Sequence, residues 1–455
     1  MKLIDWIRPG IKVKRWVMLG IMGIMLITFG LAEIINKSRF YSKQYSAYYV
    51  FLVISGAFIL YMSVTQGMKS IIALINKGYL NVSLDSRKLG NLIYEKRLLV
   101  KGPKIVAIGG GTGLSTMLRG LKYYTSNITA IVTVADDGGG SGDLREDLGM
   151  LPPGDIRNCI LALSDTEPLM EELLQYRFKD GRLKNQSFGN LFLAAMDGLS
   201  SNFEEAVRKM SSVLAVTGKV VPVTLENVTL KAELKNGVIV EGESNIPEAV
   251  KQYESAIERI FINPEDVSAL KEAIEAITEA DAIILGPGSL YTSVIPNLLV
   301  KDISSALQKT KALKLYVSNI MTQPGETDGY SVSDHIKAIY KHGGEGIVDY
   351  TVINTEKIDE VFQDKYLEKT SELVNIDEDA LKKMGVGTVK GKFIKIKSGY
   401  VRHDSDRLAD ILVETIMDKK LFYDRKKIIE YFYLSERLKE NKASQKNNKS
   451  KINGE

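Results

Sequence analysis

Two apolar runs near the start of the chain restrict its fold more than any other feature. From Val17 to Ile35 only Thr28 and Glu33 interrupt the apolar residues, and from Ala47 to Val64 there is no charge at all. Each run is close to the roughly 20 residues an α-helix needs to cross a bilayer core. One such run alone would also suit a buried helix of a soluble protein. Two in succession, joined by the short polar loop Asn36–Ser46, point to a transmembrane hairpin occupying residues 1–65. A cleaved signal peptide fits worse, because the second run follows at once and no small-residue cleavage site is evident.

Basic residues set the expected orientation. Lys2, Arg8, Lys12, Lys14 and Arg15 precede the first run, Lys69, Lys77, Arg87 and Lys88 follow the second, and only Lys37, Arg39 and Lys43 lie between. This bias predicts a multi-pass protein of the cell membrane with two spans, both termini and the main domain being cytoplasmic. Tyr41, Tyr45, Tyr48 and Tyr49 cluster where an interfacial aromatic belt would sit, and Glu33 is close enough to the end of its span to reach the headgroups. The hairpin is an anchor, contacting the membrane through residues 17–64, and is too small for a transporter.

Beyond a cytosolic linker or helical region at 66–103, the chain reads as a globular α/β protein. Its 45% hydrophobic and 25% charged residues are globular proportions. The net charge of +4 gives no sign of a nucleic-acid partner. A single cysteine, Cys159, and three histidines leave no disulfide framework, multi-cysteine zinc site or His-built metal site. Chemistry must rest on glycines, carboxylates, hydroxyls, amides and arginine.

Ile105–Ile108 reads as a short buried strand, followed without a break by Gly109-Gly110-Gly111-Thr112-Gly113 and then by apolar residues at helical spacing from Leu114 to Lys122. Strand, glycine turn and helix together aim backbone N–H groups at a phosphate. Gly110, Gly111 and Gly113 permit close approach, and Thr112, Ser115 and Thr116 offer hydroxyls. No Gly-Lys-Ser/Thr occurs, so this is not a Walker loop. A dinucleotide fingerprint read from Gly109 or Gly111 would need its third glycine at Leu114 or Thr116, which disfavours a dehydrogenase.

A second strand, Asn127–Val134, leads into Asp136-Asp137-Gly138-Gly139-Gly140-Ser141-Gly142. Ligands of an open parallel sheet bind at that carboxyl edge. There, Asp136 and Asp137 are candidates for ribose hydroxyls or for Mg²⁺, and the competing role for either is to cap the next helix. Pro152-Pro153-Gly154-Asp155-Ile156-Arg157-Asn158 forms a rigid turn into a helix, and Ser187-Phe188-Gly189-Asn190 a second small-residue turn. Ile283-Ile284-Leu285-Gly286-Pro287-Gly288-Ser289 repeats the strand–glycine scheme. Lys314–Ser318 is a strand running into Asn319-Ile320-Met321-Thr322-Gln323-Pro324-Gly325.

This ordered set resembles the gluconeogenesis factor (YvcK-like) family of the CofD-like superfamily, firmly from about Lys104 to Asp349 and more loosely to about Tyr433. The resemblance implies a Rossmann-related three-layer CofD-like α/β fold and binding of a UDP-sugar such as UDP-N-acetylglucosamine. It also implies a role in cell shape, envelope synthesis and gluconeogenic growth. The related CofD enzymes are Mg²⁺-dependent 2-phospho-L-lactate transferases, so a phosphotransferase is the alternative, with Asp136 and Asp137 as candidate catalytic and metal-holding residues. By position, the phosphates fall against Gly110–Gly113 and Gly286–Ser289. Ser141, Arg157, Asn158, Asn190, Asn319 and Thr322 lie in further ligand-facing turns, where Arg157 could meet a diphosphate bidentately. Gly140 stands where the family usually carries serine, and the hairpin lies outside the resemblance. A homodimer and envelope-synthesis proteins are the partners left open.

The remaining segments complete the expectation. Val220–Leu225, Val228–Leu234 and Val238–Gly242 read as a β-meander over about 218–243, with a tight turn at Asn236-Gly237, overhanging the site. Pro264–Thr278 reads as an amphipathic helix, Asp406–Lys420 as a charged helix closing a main domain at 104–435, and 436–455 as a disordered basic tail.

Overall fold

A computed structural model describes residues 13–37, 46–76, 99–100, 102–422 (except 167, 359, 368, 369 and 398) and 434–436. The basic residues before Val13, Lys77, Arg87, Lys88, most of the loop between the apolar runs and the tail from 437 lie outside the described residues. The chain divides into two compact units, Met1–Val100 and Lys101–Glu455.

In the first unit, α1 (Val13–Lys37) and α2 (Ser46–Asn76) contain segments long and apolar enough to cross a membrane, Arg15–Ile35 and Ala47–Gly67. The two helices pack against each other through small residues. A Cβ at Gly23 would lie 2.8 Å from the Gly56 carbonyl oxygen, and one at Gly56 would lie 2.8 Å from that of Gly23. Such close approach is how helices pack when no hydrophobic effect drives them together. The Ser63 hydroxyl donates across the pair to the Trp16 carbonyl. Met18, Met25, Phe29, Phe51 and Phe58 face outward.

The second unit is built on a seven-stranded sheet in the order β10-β9-β8-β7-β1-β2-β3, every pair parallel. The strands are β1 Ile105–Gly109, β2 Ile128–Val132, β3 Lys219–Pro222, β7 Ala282–Leu285, β8 Leu313–Val317, β9 Tyr350–Asn354 and β10 Gly387–Gly391. β1, β7 and β8 are buried at every position, as parallel strands covered on both faces must be. The order runs one way from β1 to β2 and β3 and the other way to β7, so the switch point lies between β1 and β7.

A separate three-stranded antiparallel sheet, β5-β4-β6, comprises β4 Thr229–Leu234, β5 Ile239–Glu241 and β6 Ile257–Asn263. Two expectations are corrected here. Val220–Leu225 is not the first meander strand: its core is β3, which pairs with β2 at the edge of the main sheet, and β6 supplies the third meander strand instead. The helix expected over Pro264–Thr278 forms only over Lys271–Glu279. The Ser268 N–H is held by the Glu226 carboxylate and the Ala269 N–H by Asp302, which keeps the preceding segment out of helical geometry. A hairpin of β11 Ile394–Lys397 and β12 Tyr400–His403 precedes the C-terminal helix Ser405–Ile416, close to the span expected for it.

Candidate nucleotide site

The two glycine turns leave adjacent parallel strands, β1 and β7, and therefore meet at the switch point, where open α/β sheets hold their ligands. The first turn is tighter than the sequence suggests. Helix α3 (Gly111–Leu121) begins inside the glycine run, so Gly111, Thr112 and Gly113 form its first turn, with Gly110 as the cap. Gly111 has φ +67°, a left-handed value that favours glycine. Gly113 is pressed against the other turn, since a Cβ there would lie 2.5 Å from the Pro287 carbonyl oxygen. The hydroxyls of Ser115 and Thr116 donate back to the Thr112 carbonyl at 3.1 and 2.7 Å, so both already have a partner within the helix.

These turns border a cavity of about 580 Å³ that collects several of the expected residues: Gly111, Thr112, Gly113, Asp136, Gly288, Ser289, Asn319 and Thr322. Gly110 and Gly286 lie just beneath, Gly110 beside Asp155 and Gly286 beside Gly109. The Thr322 hydroxyl accepts the Glu372 N–H at 2.9 Å, so this residue shapes its turn as well as lining the cavity.

The expected pairing of Asp136 with Asp137 is corrected. Only Asp136 lines the cavity. Asp137 turns away, and its carboxylate accepts the backbone N–H groups of Glu243 and Ser244, each at 2.9 Å. Asp136 accepts the Gly138 N–H at 3.0 Å, close to a capping role, at the start of α4 (Gly139–Leu148). A serine Cβ at position 140 would lie 2.8 Å from the Gln186 amide oxygen, so Gln186 occupies the space beside Gly140.

Sequence reasoning missed Thr133, Asp155, Glu243, Tyr366, Arg402 and His403, all of which line the cavity. Asp155, in the first turn of α5 (Gly154–Leu163), accepts the Gly111 N–H. Burial, reinforced by Asp136, pushes its carboxyl up to about 6. Burial and Asp136 likewise push Glu243 up to about 7, and burial with Glu243 pushes the neighbouring Glu326 up to about 8. Asp136 is also raised, chiefly by burial. The acidic character of Pro-Pro-Gly-Asp was readable; its convergence with a residue from the meander was not.

Among the described residues no three His, Cys, Asp or Glu side chains converge as a metal-binding group. A Mg²⁺ ion would therefore have to share its coordination with ligand oxygens, which is its usual mode at phosphates. The donor chemistry suits that arrangement, because Asp136 and Asp155 crowd negative charge beside the two glycine turns.

The expected residues Ser141, Arg157, Asn158 and Asn190 are not in this cavity. They line a second, smaller one of about 220 Å³, and Asp136 and Asp155 border both.

A parallel sheet with glycine turns paired at its switch point defines an α/β protein of the CofD class, and the family model for 2-phospho-L-lactate transferase CofD matches residues 105–394. A putative gluconeogenesis factor of Clostridium acetobutylicum is 78% identical over 99% of this chain and 100% of its own length. The gluconeogenesis factor of Bacillus subtilis is 48% identical over 70% of this chain and 99% of its own. A crystal structure of a UPF0052-family protein from Bacillus halodurans superposes with a TM-score of 0.65 at 48% identity, covering 67% of this chain and 98% of that one. The chain belongs to the gluconeogenesis factor family of CofD-like proteins. Shorter members match it almost end to end while leaving part of this chain without a counterpart, whereas the Clostridium relative matches nearly all of it.

Proposed function

We propose that this protein is a regulator of gluconeogenic growth and cell shape that binds a UDP-sugar, UDP-N-acetylglucosamine being the leading candidate. The observation that carries the reading is the contact between the two glycine turns, which lines one edge of a 580 Å³ cavity with backbone able to approach a diphosphate. Hydroxyls of Ser289, Thr292 and Ser293, the Asn319 amide and the Arg402 guanidinium offer partners for sugar and phosphate oxygens. Asp136 and Asp155 would hold a Mg²⁺ that arrives with the nucleotide, and the ion would screen the phosphates from the carboxylates.

Calorimetry of the full chain in detergent should show saturable binding of UDP-N-acetylglucosamine, tightened by Mg²⁺ and accompanied by proton release as the raised carboxyls ionise. Absence of binding with and without Mg²⁺ would remove the reading. A second reading, a Mg²⁺-dependent phosphotransferase, draws on the same carboxylates, which could orient a phosphoryl group through a metal. Release of free nucleotide in the calorimetry mixture would favour it.

The two apolar helices support a membrane anchor, and the basic residues flanking them in sequence favour the α/β unit on the cytosolic side. A reporter fused after Glu455 and active only in the cytosol is expected; activity only outside the cytosol would reverse the topology.

A further inference from the structure

Arg157 and Asn190, from two of the motifs singled out in the sequence, line the smaller cavity and not the nucleotide cavity. Arg157 comes from the Pro-Pro-Gly-Asp-Ile-Arg-Asn turn, and the Ser-Phe-Gly-Asn turn is fitted around it. Its aliphatic chain lies so close to Gly189 that a Cβ there would sit 2.6 Å from the Arg157 Cδ. One guanidinium nitrogen donates to the Ser187 hydroxyl at 3.1 Å. Asn190 lines the same space from the first turn of α6 (Phe188–Gly198).

Two basic side chains, Arg157 and Arg177, share this pocket with two carboxylates, Asp136 and Asp155, yet its buried donors are not all satisfied. Arg157 is only 8% exposed, yet its Nε has no hydrogen-bond partner among the described residues. Asn190 is 2% exposed and its amide oxygen is likewise unpartnered; half a turn about the Cβ–Cγ bond presents the NH₂ group instead. Arg177 stands at the mouth of the pocket and is near enough to depress the Arg157 guanidinium, which burial already lowers, to about 10. The N-termini of α4 and α5, each ten residues long, open onto the same space through Gly139, Gly140, Ser141 and Gly154. Their free N–H groups carry partial positive charge.

The two carboxylates in the shared wall are engaged elsewhere. Asp155 turns to the Gly111 N–H on the nucleotide side, and Asp136 accepts from the Gly138 N–H and the Ser141 hydroxyl. Asp155 attracts Arg157 through space, but among the described residues neither carboxylate hydrogen-bonds or ion-pairs with the guanidinium, whose Nε stays open to the pocket beside a second arginine and two helix N-termini.

We propose that this pocket is a second anion site, distinct from the nucleotide cavity, which takes the phosphate group of a small phosphomonoester. Its volume is less than half that of the nucleotide cavity, and its planar guanidinium and converging N–H donors match a tetrahedral oxyanion. The wall of Asp136 and Asp155 sets the two ligands back to back.

The test is a titration of the full chain, in phosphate-free detergent, with orthophosphate, glycerol phosphate and acetate. Wild type should bind both phosphates saturably, with the same affinity whether or not UDP-N-acetylglucosamine is present in excess. Arg157→Gln should weaken phosphate about tenfold or more, the loss expected for a charge-assisted bidentate contact. Arg177→Gln, at an exposed position, should weaken it severalfold with no change in melting temperature. If Arg157→Gln does not fold, Arg177→Gln decides alone. Failure of the sugar nucleotide to bind removes the proposed function and leaves the phosphate titration intact. Competition between phosphate and nucleotide, acetate binding as well as phosphate, equal affinity in the folded variants, or no phosphate binding by wild type overturns the second site.

Discussion

Replacing Gly113 by alanine is expected to abolish nucleotide binding and to lower the melting temperature by roughly 3–10 °C, the range set by an overpacking cost of ~1–3 kcal/mol in a large domain. The new Cβ would lie 2.5 Å from the Pro287 carbonyl oxygen and 2.8 Å from its carbon. Both are backbone atoms, so no side chain can swing aside. Either the turns after β1 and β7 separate or the parallel pairing behind them shifts, and the surface that faces the ligand is lost in both cases. Gly111→Val should behave differently. A Cβ there meets nothing nearer than the Ser293 hydroxyl at 3.5 Å, so the fold bears only the strain of φ +67°, ~1–2 kcal/mol. The side chain would nonetheless stand where phosphate must approach. Calorimetry and thermal melts together separate the outcomes: both variants should fail to bind, and Gly113→Ala should lose more stability. Normal binding by Gly111→Val would make the glycine turn purely structural.

Lowering the pH from 8.5 to 7 is expected to raise the melting temperature of the ligand-free protein by several degrees. Glu326 and Glu243 ionise near 8 and 7 in the folded protein, because burial and their neighbours oppose the charge, against 4.5 as a free side chain. Between those values the folded state holds protons that the unfolded chain has released, so acid favours folding. This stabilisation is complete below about pH 4.5 and is lost as the pH rises through 7 and 8. The window must stop near 7, because burial lowers the pKa of His335, His342 and His403, so they oppose folding once the unfolded chain binds protons near 6.5. Glu326→Gln should flatten the upper part of the profile and stabilise the protein at pH 8.5. A profile unchanged by Glu326→Gln would mean that this carboxyl does not hold its proton.

The glycine turns were legible because strand, turn and helix are consecutive, so both the turn and the chain segments that produce it can be read locally. Their mutual contact depends on strand order, and β1 and β7 lie 177 residues apart at Lys104 and Asp281, where the backbone N–H of one meets the carboxylate of the other. No local pattern carries that pairing. The same limit explains β3, whose alternation identifies a strand but not its neighbour, and it explains Asp155, Glu243 and Tyr366, which reach the cavity from distant segments. Arg157 and Asn190 were expected to face a ligand with the glycine turns, but a wall formed by Asp136 and Asp155, which only the folded chain reveals, separates them.

The hydrogen bonds from Glu243 and Ser244 to Asp137 bear on how the protein is made. They span 106 and 107 residues, so the turn after β2 cannot take its final shape until the chain through Ser244 has emerged from the ribosome. Closing so long a loop is entropically slow, and contacts of this separation form late in folding. The β1–β2 pair can assemble early, but the cavity above it waits for the meander to dock and then for the still later segments around Gly288, Asn319 and Arg402. A nascent chain halted before Ser244 would therefore carry an exposed acidic turn and no completed site.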